Sequence, residues 1–154
     1  MKRRSHKGLS LVELIVAFTI LSLLCSMAVP LARYKVKRDR ERDLRWALHE
    51  IRTAIDHYKD DADAGKLGPQ KMDTMGYPES LEVLVEGVKA AGQVDKKVKY
   101  LRRIPKDPIT NTFDWGKRSM QDDPKSTSWG GQNVFDVYTK SRDTGSDGTP
   151  YTEW

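Results

Sequence analysis

Apolar residues are distributed unevenly along the chain. From Leu9 to Ala32, a stretch of 24 residues, only Glu13 is charged. At ~1.5 Å rise per residue a helix needs about 20 residues to cross a hydrocarbon core, so this run predicts one membrane-length helix. The next stretch has no glycine or proline from Leu31 to Asp63 and is dense in charge. Within it Lys35 and Asp39, and Glu41 and Arg45, lie four apart, the spacing of opposite charges along a solvated helix face. From Leu44 the apolar residues fall at Leu44, Ala47, Leu48, Ile51, Ala54, Ile55 and Tyr58. That is one helical stripe, and it requires a partner surface. A helix from Leu9 to about Lys59 would be ~75 Å long, with Pro30 as the place for a bend.

Beyond Lys59 the pattern shortens. Asp60 to Gln70 is polar and holds Gly65, Gly68 and Pro69, which predicts a loop. Pro78 and Glu79 suit a helix's first turn, with Leu81, Leu84 and Val85 on its buried side. Gly87 to Lys97 reads as a loop or frayed end. The prolines in Tyr100 to Pro108, followed by Ile109-Thr110-Asn111, predict an extended, turning segment. Phe113-Asp114-Trp115 and Val134 to Tyr138 alternate as half-buried strands do, on either side of a polar insert from Gly116 to Gly131. The tail from Ser141 to Trp154 is rich in glycine and aspartate and predicts irregular backbone. No internal repeat is visible.

Composition narrows the classes. In 154 residues a membrane-length helix leaves about 100 for one small domain. The net charge is +5, but Lys2, Arg3, Arg4 and Lys7 supply four positive charges ahead of the apolar run, so the remainder carries +1. The basic balance therefore argues little for nucleic acid. Interleaved acids likewise spoil the field of the Arg33 to Arg45 segment with Tyr34 and Trp46. Cys25 is the single cysteine, so no intramolecular disulfide can brace the domain.

The N-terminus has several readings. In Lys7-Gly8-Leu9-Ser10-Leu11-Val12-Glu13 a basic leader stops at a glycine and an apolar run begins at once. A carboxylate inside such a run costs at least ~2.5 kcal/mol on insertion scales and marks function. Cutting after Gly8 would create an α-amine at Leu9 as its cationic partner. An ordinary signal peptide would use Ser26-Met27-Ala28 as its cleavage site, but the run is long for that and Glu13 weakens it. A lipoprotein signal at Cys25 would place Leu24 where a small residue is expected. A plain signal anchor leaves Glu13 unexplained.

The pattern resembles the signal of type IV pilins and type II secretion pseudopilins. The resemblance implies cleavage after Gly8 by the prepilin peptidase, N-methylation of Leu9, and pairing of Glu13 with a neighbour's terminal amine in assembly. Pro30 matches the proline of that helix, whereas Leu9 stands where phenylalanine is usual. It also sets the leader in the cytoplasm, against the count of Lys and Arg after the run. Further along, Tyr77-Pro78, Leu101-Arg102-Arg103-Ile104-Pro105-Lys106-Asp107-Pro108, Phe135-Asp136-Val137-Tyr138 and an acidic loop ending in tryptophan are similar to the G-type pseudopilins. Ile109-Thr110-Asn111 departs from the family's Trp-Gly-Asn, and the acidic loop is shortened.

The resemblance implies an α+β fold of the type IV pilin kind. A long N-terminal helix, its first half transmembrane, packs on a small antiparallel β-sheet with an irregular C-terminal loop. Residues 1–8 are then a cleaved leader, 9–32 the transmembrane and assembly helix, and 33–154 a periplasmic domain whose helix continues over 33–59. The implied function is a structural subunit of the type II secretion pseudopilus, polymerising with itself to drive export of folded proteins. Its implied partners are minor pseudopilins, the prepilin peptidase, and the inner-membrane assembly platform with its ATPase, with no nucleic acid. A type IV pilin subunit is the alternative, and an exported soluble enzyme behind a cleaved signal is the rival from another class.

One chemical question lies in the tail. Asp143, Asp147 and Gly148 fall at positions one, five and six of a calcium loop, but Gly145 offers no side chain at position three. Trp154 stands where an EF-hand has its closing glutamate, so this is not an EF-hand. The family resemblance implies calcium here, on Asp143, Asp147 and the Lys140 backbone carbonyl; an acidic solvated turn is the other reading. His49 and His57 are two helical turns apart, too far to share one ion. No nucleophile–base pairing, phosphate loop or zinc spacing is present, so the reading is not an enzyme.

Overall fold

The computed structural model describes residues 10–92 and 96–154. The order of elements is α1 (Leu11–Asp63), α2 (Leu81–Glu86), β1 (Val88–Lys89), β2 (Lys97–Val98), β3 (Gly116–Arg118) and β4 (Asp136–Tyr138), with short 3₁₀ turns at Met72–Thr74 and Tyr151–Glu153. The chain divides into two units, one ending at Arg38 and one from Asp39 to Trp154.

In the first unit α1 is apolar on every side and exposed on every side. Leu11, Phe18, Leu21, Leu24, Met27 and Leu31 all face outward. None of its membrane-length window is buried. A helix apolar all round is at home in lipid or among neighbouring helices, not in water. The hydroxyl of Thr19 donates back to the carbonyls of Ile15 at 2.6 Å and Val16 at 3.1 Å, so this polar group is satisfied without solvent. The helix runs on through Pro30.

In the second unit the buried face of α1 is Leu44, Ala47, Leu48, Ile51, Ala54, Ile55 and Tyr58, the expected stripe, with Glu41 added one turn before it. The helix continues four residues past Lys59, whose ammonium pairs with Asp63 one turn on. It stops where Gly65 takes φ +66° and the Lys66 amide reaches back to the Asp61 carbonyl, a Schellman closure that favours glycine.

Leu81 and Leu84 of α2 pack on the stripe with Leu101, Trp115, Val134, Val137 and Tyr151. Each such burial is worth roughly 1.5–3 kcal/mol. The amides of Tyr100 and Leu101 both donate to the Leu84 carbonyl at 3.0 Å, which ties the proline-rich segment to α2. Within that segment the turn at Ile109-Thr110-Asn111 is held by buried Asp107. Its Oδ1 accepts the Ile109 and Thr110 amides at 2.8 and 3.3 Å, and its Oδ2 accepts the Thr139 hydroxyl. Asn111 takes the left-handed conformation at φ +59°, which asparagine tolerates well.

Two expectations are corrected. Gly87 to Lys97 is not wholly a loop, because β1 and β2 pair antiparallel with Val88 opposite Val98. The strand expected at 113–115 lies instead at Gly116–Arg118, paired antiparallel to β4 with Gly116 opposite Tyr138 and Arg118 opposite Asp136. A Cβ on Gly116 would stand 2.3 Å from the Tyr138 ring, so the ladder forms where there is no side chain in its way. Among the described residues the β structure is thus two two-stranded sheets.

Candidate functional site

Two places hold the residues singled out by sequence. Gly8 and Leu9 lie outside the described residues. Glu13 sits in the first turn of α1, exposed, and no cation among the described residues pairs with it. A carboxylate there, on a helix otherwise apolar for two dozen residues, needs a partner to offset its desolvation. Pro30 is the single proline inside α1.

The second place is the C-terminal loop. Its backbone turns tightly: the Gly145 amide donates to the Thr149 carbonyl at 2.8 Å, the Gly148 amide to the Gly145 carbonyl at 3.2 Å, and Thr144 bridges Pro150. Gly148 has φ +86°. A Cβ on Gly145 would meet the Trp154 indole at 2.6 Å, so the ring closes over the turn. Trp154 donates from Nε1 to the Thr149 hydroxyl at 2.7 Å and meets Tyr151 edge-on, with ring centroids 4.9 Å apart.

Three charged residues on one edge of α1 grip this loop. Glu41 is only 3% exposed. Its Oε1 accepts the Ser146 amide at 2.7 Å and the Tyr151 hydroxyl at 2.9 Å, and its Oε2 accepts the Ser146 hydroxyl at 2.5 Å. Arg45 lies 3.6 Å from the Asp147 carboxylate and 4.0 Å over the Trp154 ring. Arg52 donates to the Trp154 carbonyl at 2.7 Å, the Val137 carbonyl at 3.1 Å and Asp136 at 2.7 Å. Arg118 reaches the other Asp136 oxygen at 3.3 Å and the Thr152 carbonyl at 3.1 Å. Burial, reinforced by the adjoining Glu41 carboxylate, pushes the Tyr151 hydroxyl up to about 12.

Of the expected calcium donors, the Asp147 carboxylate is engaged within the loop. Asp147 accepts the Thr149 amide at 3.0 Å and the Thr149 hydroxyl at 2.6 Å; these bonds, with Arg45 helping, hold its carboxyl below the usual range. The Ser141 hydroxyl lies 3.4 Å from the Asp143 carboxylate, and the Asp143 carbonyl accepts the Tyr151 amide. The third expected donor is the Lys140 backbone carbonyl; the side chain of that residue pairs with Asp114 at 2.6 Å. No group of three or more His, Cys, Asp or Glu able to hold a metal occurs among the described residues, which also covers His49 and His57. Calcium needs six to eight oxygens, and this donor set does not fit it.

Known proteins give the geometry its context. The prokaryotic N-terminal methylation motif matches residues 3–29, the leader and the first part of α1. Type II secretion system core protein G of Klebsiella michiganensis is 28% identical over 159 aligned positions, spanning 99% of this chain and 92% of that protein. Over nearly its whole length the chain is therefore similar to a type II secretion pseudopilin. A second relative, type II secretion system core protein G of Pseudomonas aeruginosa, is 27% identical over 120 positions, 75% of this chain and 76% of its own. No solved structure matches this chain significantly. Both relatives carry secretion-system names, which favours a pseudopilin over a type IV pilin.

Glu41 was missed in the sequence. Its i,i+4 spacing to Arg45 reads as a solvated pair, yet it lies three residues before Leu44 and seven before Leu48. Both spacings set it on the buried stripe, which was the available signal.

Proposed function

We propose that this chain is a pseudopilin, a structural, non-catalytic subunit that polymerises through its N-terminal helix into a periplasmic pseudopilus and so drives export of folded proteins across the outer membrane. The observation that carries the reading is similarity to core protein G across nearly the whole chain, joined to the methylation motif at residues 3–29. The exposed apolar half of α1 supports it. Before assembly it would sit in the inner membrane as a single span, and in the filament against copies of itself. Prepilin peptidase would cut after Gly8 and methylate Leu9. Minor pseudopilins and the inner-membrane platform with its ATPase would be its assembly partners.

Glu13 has a mechanical role in this reading. Alone in the membrane its charge is unpartnered; in the filament the Leu9 amine of a neighbour comes within reach. At an effective dielectric near 20, two charges ~4 Å apart attract by about 4 kcal/mol, enough to set register between sliding apolar helices. Glu13→Ala should leave the precursor inserted and cleaved while filaments, seen by electron microscopy of sheared cells, are lost and the exported proteins stay in the periplasm. Normal filaments from this variant would mean that helix packing alone sets register.

A further inference from the structure

We propose that the C-terminal loop of this pseudopilin closes without a metal, because the buried carboxylate of Glu41 on α1 is its staple. A calcium ion would hold such a loop by gathering oxygens around a positive charge. Here the polarity is reversed: a negative charge gathers donors. The Ser146 amide, the Ser146 hydroxyl and the Tyr151 hydroxyl all converge on Glu41, at 2.7, 2.5 and 2.9 Å. A carboxylate 3% exposed is stable only when its oxygens are so engaged, and hydrogen bonds to a charged acceptor are about twice as strong as neutral ones.

The helix also satisfies the loop's own charges. Arg45 lies one turn beyond Glu41, beside Asp147 and over Trp154. Arg52, two turns further, takes the Trp154 carbonyl. Glu41, Arg45 and Arg52 are spaced by four and seven, a single helical edge, so one side of α1 meets the loop from Ser146 to Trp154. Asp147 is already neutralised in part by Arg45 and held by the Thr149 hydroxyl, so it faces the helix edge and its own turn.

The test uses the full chain in detergent, with millimolar calcium and then with excess EGTA. Wild type is expected to melt at one temperature in both buffers, and trypsin to cut after Arg142 at one rate. Glu41→Gln places amide hydrogens among three donors; it should lower the melting point by roughly 5–15 °C and speed cleavage after Arg142 at least about tenfold, equally in both buffers. If that variant does not fold, Tyr151→Phe keeps the ring and removes one donor, and its cleavage after Arg142 should be faster whether or not calcium is present. A wild-type melting point or cleavage rate that changes on chelation overturns the proposal. So does unchanged cleavage in both Glu41→Gln and Tyr151→Phe.

Discussion

Tyr151 shows how one side chain links the loop's chemistry to pH. Its hydroxyl must stay protonated to donate to Glu41, and its folded pKa is about 12 against an ordinary 10.0. The folded state therefore keeps a proton that the unfolded chain loses first as pH rises. The stability this group confers is complete below pH 10.0 and declines as pH climbs through about 12. Tyr58 and Tyr100 are raised as well, chiefly by burial, so the comparison needs a difference. Urea unfolding at several alkaline values should lose stability more steeply in wild type than in Tyr151→Phe; parallel slopes would contradict the bond to Glu41. Gly116 makes a steric counterpart. With the Tyr138 ring 2.3 Å from where a Cβ would stand, Gly116→Ala must displace either the ring or β3. A loss of about 1–3 kcal/mol is expected in chemical unfolding.

At the scale of elements, α1 was the most legible and the loop the least, for a physical reason. Seven of the eight buried positions of α1 lie on the 3.6-residue stripe visible in the sequence, because a helix face is specified by local spacing. Ile51, fully buried at the middle of that stripe, should cost about 2–5 kcal/mol when cut to alanine, read as a drop in melting temperature. β1 and β2 were not legible because two residues carry no alternation; they are placed by distant bonds, such as the Gly68 amide to the Lys89 carbonyl at 2.8 Å. β3 was misplaced by the alternation of Phe113-Asp114-Trp115, of which Trp115 is buried while Phe113 stays exposed. Pairing began instead at the glycine, where the opposing tyrosine has room. The tail's partners are on Glu41, more than a hundred residues away, and no spacing within the tail could announce them.

On the scale of the whole molecule, the two units correspond to two kinds of physics. Up to Arg38 the sequence is apolar on all sides of a helix and then charged, with nothing buried among the described residues, which suits a lipid or helix-lined environment. From Asp39 onward an ordinary core forms around Ile51, Leu84, Trp115 and Val137. The membrane-length run, the basic leader and Glu13 were readable at once because their meaning is compositional. The relatives add the system in which such a chain works. Intact mass and N-terminal peptide mapping of protein extracted from membranes test the central claim most directly. A mature chain beginning at N-methylated Leu9, eight residues shorter than the precursor, is the predicted result. A terminus at Val29, or a chain beginning at a lipidated Cys25, would contradict it.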